Sequence, residues 1–459
     1  MLDAVKAING VLWGPPMLIL LMGTGIYLTV RLRCIQVRKF GTSFKETFGG
    51  MFKKSDEDGV SSFASLATAI AAQVGTGNLA GVATAIAAGG PGAIFWMWVS
   101  GFFGMATIFS EAVISQQFTV EDEGQKVGGP AYYLSQGIKN KTLGKFLSIF
   151  FAIAIILALG LMGLVVQANS IASSAETAFG IPPIVVGVFV AILVLFVVVG
   201  GVKRITSVAE KVVPIMALFY VLGSLFIILG NASHIIPALG SIFAAAFSPA
   251  AAAGGFAGAA VKVAVQKGVA RGLFSNEAGM GSTPHAHALA NVKHPAQQGL
   301  VATVGVVIDT GIICTMTALV ILTTGVLETG LDGANLTQAA FSTGFGSFGN
   351  MFISICLFFF AFTTIVGWYF FGETNVKFLF RNNRKTALIV YRVLVAILIV
   401  VGTTAQVALV WELADMFNAL MVLPNLIGLL ALSGLAVKIT NDYEKNFVNG
   451  IPSEYEKKK

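Results

Sequence analysis

Apolar runs of roughly membrane-crossing length recur eleven times along this chain, and nothing else in it constrains the fold so strongly. A helix rising about 1.5 Å per residue needs around 20 apolar residues to cross some 30 Å of hydrocarbon. The runs cover Val11 to Leu32, Ser61 to Ala88, Ile94 to Phe118, Phe146 to Ile171, Pro183 to Gly201, Val208 to Gly230, Gly258 to Met280, Gly299 to Leu327, Asn350 to Phe371, Thr386 to Thr404 and Leu413 to Val437. Of 459 residues 56% are hydrophobic and 11% charged, against about 25% charged in a soluble domain. Too little polar side chain exists to coat a water-soluble particle of this size. The chain reads as an all-α polytopic membrane protein with eleven transmembrane helices. The first run has no basic leader and no small-residue cleavage site, so it reads as a retained helix. His234 to Phe247, 14 residues, suits a helix lying along the membrane surface.

The net charge of +7 is not gathered in one basic patch, which excludes nucleic acid as a partner. Counted on alternate sides of the eleven spans, one side holds 25 Lys and Arg and the other only Lys6, Lys262, Lys267 and Arg271. That asymmetry predicts a cytoplasmic 34–60 loop and C terminus, with the N terminus outside. Lys457, Lys458 and Lys459 then form a solvated cytoplasmic end, at most a weak contact for anionic lipid. Cys34, Cys314 and Cys356 are odd in number, and the last two lie inside apolar runs, so no disulfide framework is implied.

Two spans differ from the rest. Ser61 to Ala88 contains Gln73-Val74-Gly75-Thr76-Gly77-Asn78, and Gly258 to Met280 contains Phe274-Ser275-Asn276-Glu277-Ala278-Gly279-Met280. Unwound backbone at membrane depth is tolerated only against protein or a water-filled cavity, so each interruption marks a candidate binding site. Five spans run from the first interrupted one and five from the second, and an odd number per half inserts the halves in opposite directions. This predicts a five-plus-five inverted repeat with one extra N-terminal helix, the pattern of a secondary transporter with its site at the midplane. The expected divisions are an extra helix (1–33), a cytoplasmic loop (34–60), repeat one (61–230), an extracellular segment with the surface helix (231–257), repeat two (258–437) and a cytoplasmic tail (438–459).

An interrupted helix offers amide donors at one half's start and carbonyl acceptors at the other's end, which suits a zwitterion beside a sodium ion. The amides near Gly75, Thr76 and Gly77 suit a carboxylate. The carbonyls near Ala71, Gln73 and Val74, with the Asn78 side-chain oxygen, suit Na⁺. A glycine hinge or a packing groove is the competing reading, but neither needs Gln73 and Asn78 flanking the glycines. Thr363 and Thr364 complete a cation shell or bond back to their own helix. Gln167 meets a substrate amine or acts as interhelical glue. Phe274 and Trp368 wall a pocket for a small substrate or simply pack.

Glu111, Glu277 and Asp309 are intramembrane charges and hence functional candidates. For Glu277, beside the second interruption, capping free amides there competes with a direct role in ion coupling, and the capping role is the one expected. Lys262, Lys267 and Arg271 are expected to face a wet outer vestibule. His285 and His287 without a third ligand make a poor metal site. No Gly-x-Ser-x-Gly, phosphate-binding loop or Cys-x-x-Cys occurs, so an enzyme reading has little support. An ion channel is the runner-up from another class, and a membrane-embedded enzyme comes third.

The stretch Gly89-Gly90-Pro91-Gly92-Ala93-Ile94-Phe95-Trp96-Met97-Trp98-Val99-Ser100-Gly101-Phe102-Phe103-Gly104 resembles the signature of the alanine or glycine:cation symporter family. Ser275-Asn276-Glu277-Ala278-Gly279-Met280-Gly281-Ser282 resembles that family's second broken segment. The likeness spans nearly the whole chain. It implies a prokaryotic sodium-coupled, alternatively proton-coupled, importer of alanine and glycine in the plasma membrane, functional as a monomer, with the repeat of the neurotransmitter:sodium symporters. By that resemblance Gly75, Thr76, Gly77 and Asn78, with Phe274, Ser275 and Asn276, bind the amino acid. Ala71, Val74, Thr363 and Thr364 hold sodium. The signature helix itself is expected to pack beside the first broken helix.

Overall fold

The computed structural model describes residues 2–49, 59–122, 124–247, 257–405 and 407–457. The parts of the expected cytoplasmic loop at 50–58 and of the expected extracellular segment at 248–256 lie outside the described residues. Among the described residues seven helices are long and apolar enough to cross a membrane alone: Gly92–Gln117, Lys141–Phe179, Gly201–Gly230, Pro295–Thr324, Phe348–Leu379, Arg384–Gly402 and one over Leu409–Asn449. Two bent pairs raise the number to nine. Pro183–Val198, 16 residues, is shorter, and Ala257–Asn276 carries Lys262, Lys267 and Arg271.

The first bent pair corrects the expectation of one straight first span. Leu2–Leu12 and Pro15–Arg31 meet at 42°. Pro15 and Pro16 cannot donate backbone hydrogen bonds and push the residue before them out of helical geometry, so the helix starts afresh there. The second pair, Ser62–Gln73 and Gly77–Gly89, bends by 54° at the glycines of the first interruption.

Helix Pro183–Val198 shows why lipid is the solvent. Val186, Val190, Val194 and Val197 are buried at helical spacing, while Ile184, Val188, Phe189, Ile192 and Phe196 stay exposed on the opposite face. A helix apolar all round is stable only where its outer face meets hydrocarbon. One small exception to the all-α reading is an antiparallel ribbon pairing Val120–Asp122 with Val127–Gln125, turned at Gly124 with φ 72°.

Several of the loops expected on one side are linked to one another by polar contacts. Arg38 pairs with Glu444 at 3.0 Å, Lys126 reaches Asn291 at 2.9 Å, and Arg384 pairs with Asp122 at 2.8 Å. Lys457 donates to Gln116 Oε1 at 2.6 Å, and its backbone N–H to the Lys293 carbonyl at 2.8 Å. Of the residues expected on the opposite side, Asn9 reaches Glu412 at 2.6 Å and Arg271 covers Trp411.

The signature helix, Gly92–Gln117, departs from expectation. It packs chiefly on the second interrupted helix and on Pro295–Thr324, and only secondarily on Gly77–Gly89. Gly268 makes this possible, because a methyl there would lie 2.2 Å from the Ala93 carbonyl oxygen. The family stretch therefore supports the second interruption more than the first. The Trp96 and Trp98 indoles donate to the Ala246 carbonyl (3.3 Å) and the Thr315 hydroxyl (2.9 Å). The apolar stretch near Ala245 forms helix Ile235–Phe247 against this same helix.

Candidate functional site

Helix Ser62–Gln73 begins on the Ser61 hydroxyl, which accepts the Ala64 N–H at 2.9 Å, and stops where Val74 turns extended. The chain resumes as a π-turn over Gly77–Gly81. Side-chain amides close the gap. Asn78 Oδ1 accepts the Gly75 N–H at 2.9 Å, and Gln167 Oε1 accepts the Thr76 N–H at 3.3 Å. Gln167 Nε2 donates in turn to the Thr76 hydroxyl at 3.0 Å. The structure thus brings Gly75, Thr76, Gly77, Asn78 and Gln167 together, and Thr76, Asn78 and Gln167 are fully buried.

The second interruption begins later than its sequence suggests. Phe274, Ser275 and Asn276 are the last turn of helix Ala257–Asn276, and the chain leaves the helix at Glu277. Glu277, Gly279 and Gly281 all take positive φ, at 57°, 87° and 81°. Capping of the freed amides also falls to a different residue than expected. Glu111, from the signature helix, accepts the N–H groups of Gly279 (3.1 Å) and Gly281 (3.0 Å) and the amide of Asn425 (2.7 Å). Glu277 instead accepts the Trp368 indole N–H at 2.6 Å and the Ser282 hydroxyl at 2.5 Å. The Glu277 oxygens are thus taken by side chains, one of them in the broken segment itself, whereas Glu111 on the facing helix reaches the freed amides.

The two interruptions touch. Gln73 Nε2 donates to the Asn276 carbonyl at 2.6 Å, so the C-terminal ends of both helices, where carbonyls are left free, lie close together. Asp309 joins them from a π-turn over Val307–Cys314. It accepts from Asn78 Nδ2 at 2.5 Å, from the Ser275 hydroxyl at 3.0 Å on each oxygen, and from the Thr310 hydroxyl at 2.8 Å. Asn276 Nδ2 reaches the same Thr310 hydroxyl at 3.1 Å. Negative helix poles and a carboxylate held together at depth make this centre attractive to cations. Gln73 Oε1 is buried without a hydrogen-bond partner among the described residues.

Beside this centre, the Thr364 hydroxyl oxygen lies 3.1 Å from the Ala71 carbonyl, 3.2 Å from that of Val74 and 2.9 Å from that of Phe360. A hydroxyl has one proton to give, and three carbonyls surround it. Oxygens so crowded are arranged as for a hard cation. Three of the four residues expected for sodium converge here, joined by Phe360. That fourth oxygen was legible only through the helical period, four residues before Thr364. Thr363 bonds back to the Phe359 and Phe360 carbonyls, both at 3.0 Å. Asn78 does not join this group, since its oxygen faces Gly75 and its nitrogen Asp309.

Trp368 follows Thr364 by one turn, and its indole meets the Phe274 ring edge-on at 6.4 Å between centroids. Phe274 lies over Gly77, where an added methyl would sit 3.5 Å from its ring. Arg271 covers the rings of Phe274 (5.8 Å) and Trp411 (5.7 Å). Lys262 is exposed and Lys267 half-buried. His285 is held by the Ser282 carbonyl (2.7 Å) and Asn375 (2.8 Å), and His287 by Gln298 (2.9 Å), so both histidines brace the chain after the second interruption. Among the described residues no three His, Cys, Asp or Glu gather as metal ligands.

Two interrupted helices meeting at a buried polar centre, inside an all-helical membrane bundle, are the architecture of a secondary transporter. The sodium:alanine symporter family matches residues 1–457, and the chain belongs to that family. It is therefore a multi-pass membrane transporter and not an enzyme. The sodium/alanine symporter AgcS of Methanococcus maripaludis is 43% identical over 450 residues, 96% of this chain and 98% of that protein. The putative sodium/proton-dependent alanine carrier protein YrbD of Bacillus subtilis is 41% identical over 474 residues, 100% of this chain and 96% of its own. Among solved structures, MhsT in complex with L-phenylalanine superposes with a TM-score of 0.57 at 14% identity, over 84% of this chain and 99% of that one, a likeness of fold.

Proposed function

We propose that this chain is a sodium-coupled symporter that imports small neutral amino acids, alanine and glycine, by alternating access between two inverted five-helix repeats. Repeat one covers 61–230 and repeat two 258–437. They stand within eleven crossings of the plasma membrane, with the N terminus outside, the C terminus in the cytoplasm and a single chain as the working unit. The observation that carries this reading is the cluster of Ala71, Val74 and Phe360 carbonyls around the Thr364 hydroxyl. Na⁺ binds among these oxygens, and Thr363 completes the shell by a change of rotamer.

The amino acid lies between the interruptions. Its carboxylate replaces the side-chain oxygens now answering the Gly75 and Thr76 amides, with Gly77 permitting close approach. Asn78, Gln167, Ser275 and Asn276 line the polar part of the site. The ammonium turns toward Gln73 Oε1 and the converging helix poles. Phe274 and Trp368 bound the side-chain space and keep the substrate small. Sodium binds better when the carboxylate is near, a coupling that is reciprocal by necessity.

Proton coupling is a second reading, favoured by Asp309, which links residues of both interruptions through one carboxylate. Labelled alanine uptake into reconstituted vesicles separates the two. An inward Na⁺ gradient alone should drive concentrative uptake, and Asp309→Asn should keep its dependence on Na⁺. Uptake driven by a pH gradient and indifferent to Na⁺ would assign the coupling to protons.

A further inference from the structure

Glu277 occupies a place that glycine would fill more easily. Its φ of 57° is a conformation that a residue with a Cβ rarely adopts, and glycines take the positive-φ positions two and four residues on. Strain of this kind persists only where the surroundings hold the side chain firmly, and it clusters at functional sites. Here it is fully buried, with both carboxylate oxygens occupied. One accepts the Trp368 indole N–H at 2.6 Å and the other the Ser282 hydroxyl at 2.5 Å.

Trp368 is the ring that this grip would fix. It lies one turn beyond Thr364, edge-on to Phe274, which covers Gly77. On its other side the indole packs against Gly163, where a methyl would lie 2.6 Å from the ring. The glycine lets the indole retreat fully against the π-turn over Ala158–Gly163, and the Glu277 bond stops it from swinging. Through Phe274 the indole borders the first interruption at Gly77.

The geometry points to Glu277 as a positioning residue that sets the size limit of the substrate side chain by locking Trp368. This rests on the reading above, in which a small amino acid lies between the interruptions. It acts through the tryptophan and touches no substrate itself.

Two variants separate positioning from folding. Glu277→Gly relieves the backbone conformation while removing the grip, and Glu277→Gln keeps an oxygen for the indole and a polar group for Ser282. Uptake of labelled alanine and valine into vesicles under a Na⁺ gradient gives the ratio of transport efficiencies, valine over alanine. In Glu277→Gly this ratio should rise about tenfold, the lower end of what one methylene group is worth in an apolar pocket. In Glu277→Gln it should stay near that of the native protein. If Glu277→Gly lowers both substrates equally, the inference is overturned while the reading of the site stands. If the native protein shows no saturable alanine uptake, both are overturned.

Discussion

A methyl group added to Gly75 would lie 2.5 Å from the Thr364 hydroxyl oxygen, so the helix break and the threonine of the facing helix fit only because residue 75 has no side chain. Forcing extra volume into such a contact costs about 1–3 kcal/mol. Because the same hydroxyl is ringed by the Ala71, Val74 and Phe360 carbonyls, the displacement falls on the proposed cation site. Gly75→Ala should raise the Na⁺ concentration for half-maximal uptake roughly 5- to 150-fold. A sodium titration of alanine uptake measures it.

Glu111 stitches the second interruption together by accepting two backbone amides and the Asn425 side chain. Tyr133 donates to the other atom of that same Asn425 amide. Removing the carboxylate strands two buried N–H groups, each worth about 1–3 kcal/mol. Glu111→Ala should therefore lower the melting temperature of the purified protein in detergent markedly, and Glu111→Gln less. Equal melting of all three proteins would refute the role.

Asn78 bridges the first interruption to Asp309, its oxygen on Gly75 and its nitrogen on the carboxylate. Asn78→Ala leaves the Gly75 N–H buried and unpaired, a penalty of about 1–3 kcal/mol, and takes one of the donors from Asp309, which keeps Ser275 and Thr310. Initial rates of alanine uptake should fall at least about tenfold, while the protein still elutes as a single folded species. An unchanged rate would move the substrate elsewhere.

The C-terminal tail folds back so that Lys457 reaches Gln116 and Lys293. Burial, with the nearby Lys126 adding repulsion, pushes the Lys457 ammonium down from 10.5 to about 8. An undocked tail keeps its proton up to about pH 10.5, so between about pH 8 and that value the docked form binds fewer protons. Docking should therefore strengthen as pH rises through this window, and below about pH 8 it bears the full cost of the buried charge. Limited proteolysis should release the tail more slowly at about pH 9.5 than at about pH 7, and Lys457→Gln should abolish the difference.

Much of this was legible in sequence because lipid imposes simple rules. The apolar runs gave the helices, and the polar contacts of Arg38, Lys126, Lys457 and Arg384 link loops that the Lys and Arg count puts on one side. Gln73 and Asn78 flanking Gly75-Thr76-Gly77 marked the first break, since a glycine packing groove in lipid needs no such polar flanks. Ala71, Val74 and Thr364 are residues the family resemblance singles out together with Thr363, and the Thr364 hydroxyl lies within hydrogen-bond distance of the Ala71 and Val74 carbonyls. What sequence hid was reach across the bundle. Glu111 stands 168 residues before Gly279, and no local pattern pairs them. The helical period cannot reveal that Ser275 and Asn276 stay wound while Glu277 turns left-handed, because local propensity would place a glycine there. The hub at Asp309 was visible as an intramembrane charge, but its partners on two other helices were not.

Cooperative binding of sodium and substrate tests the central claim most directly. Alanine affinity of the purified protein, measured calorimetrically with and without Na⁺, should tighten with sodium, and sodium affinity should tighten by the same factor with alanine. Thr364→Val should abolish both gains. Alanine binding of equal strength in the presence and absence of Na⁺ would contradict the account.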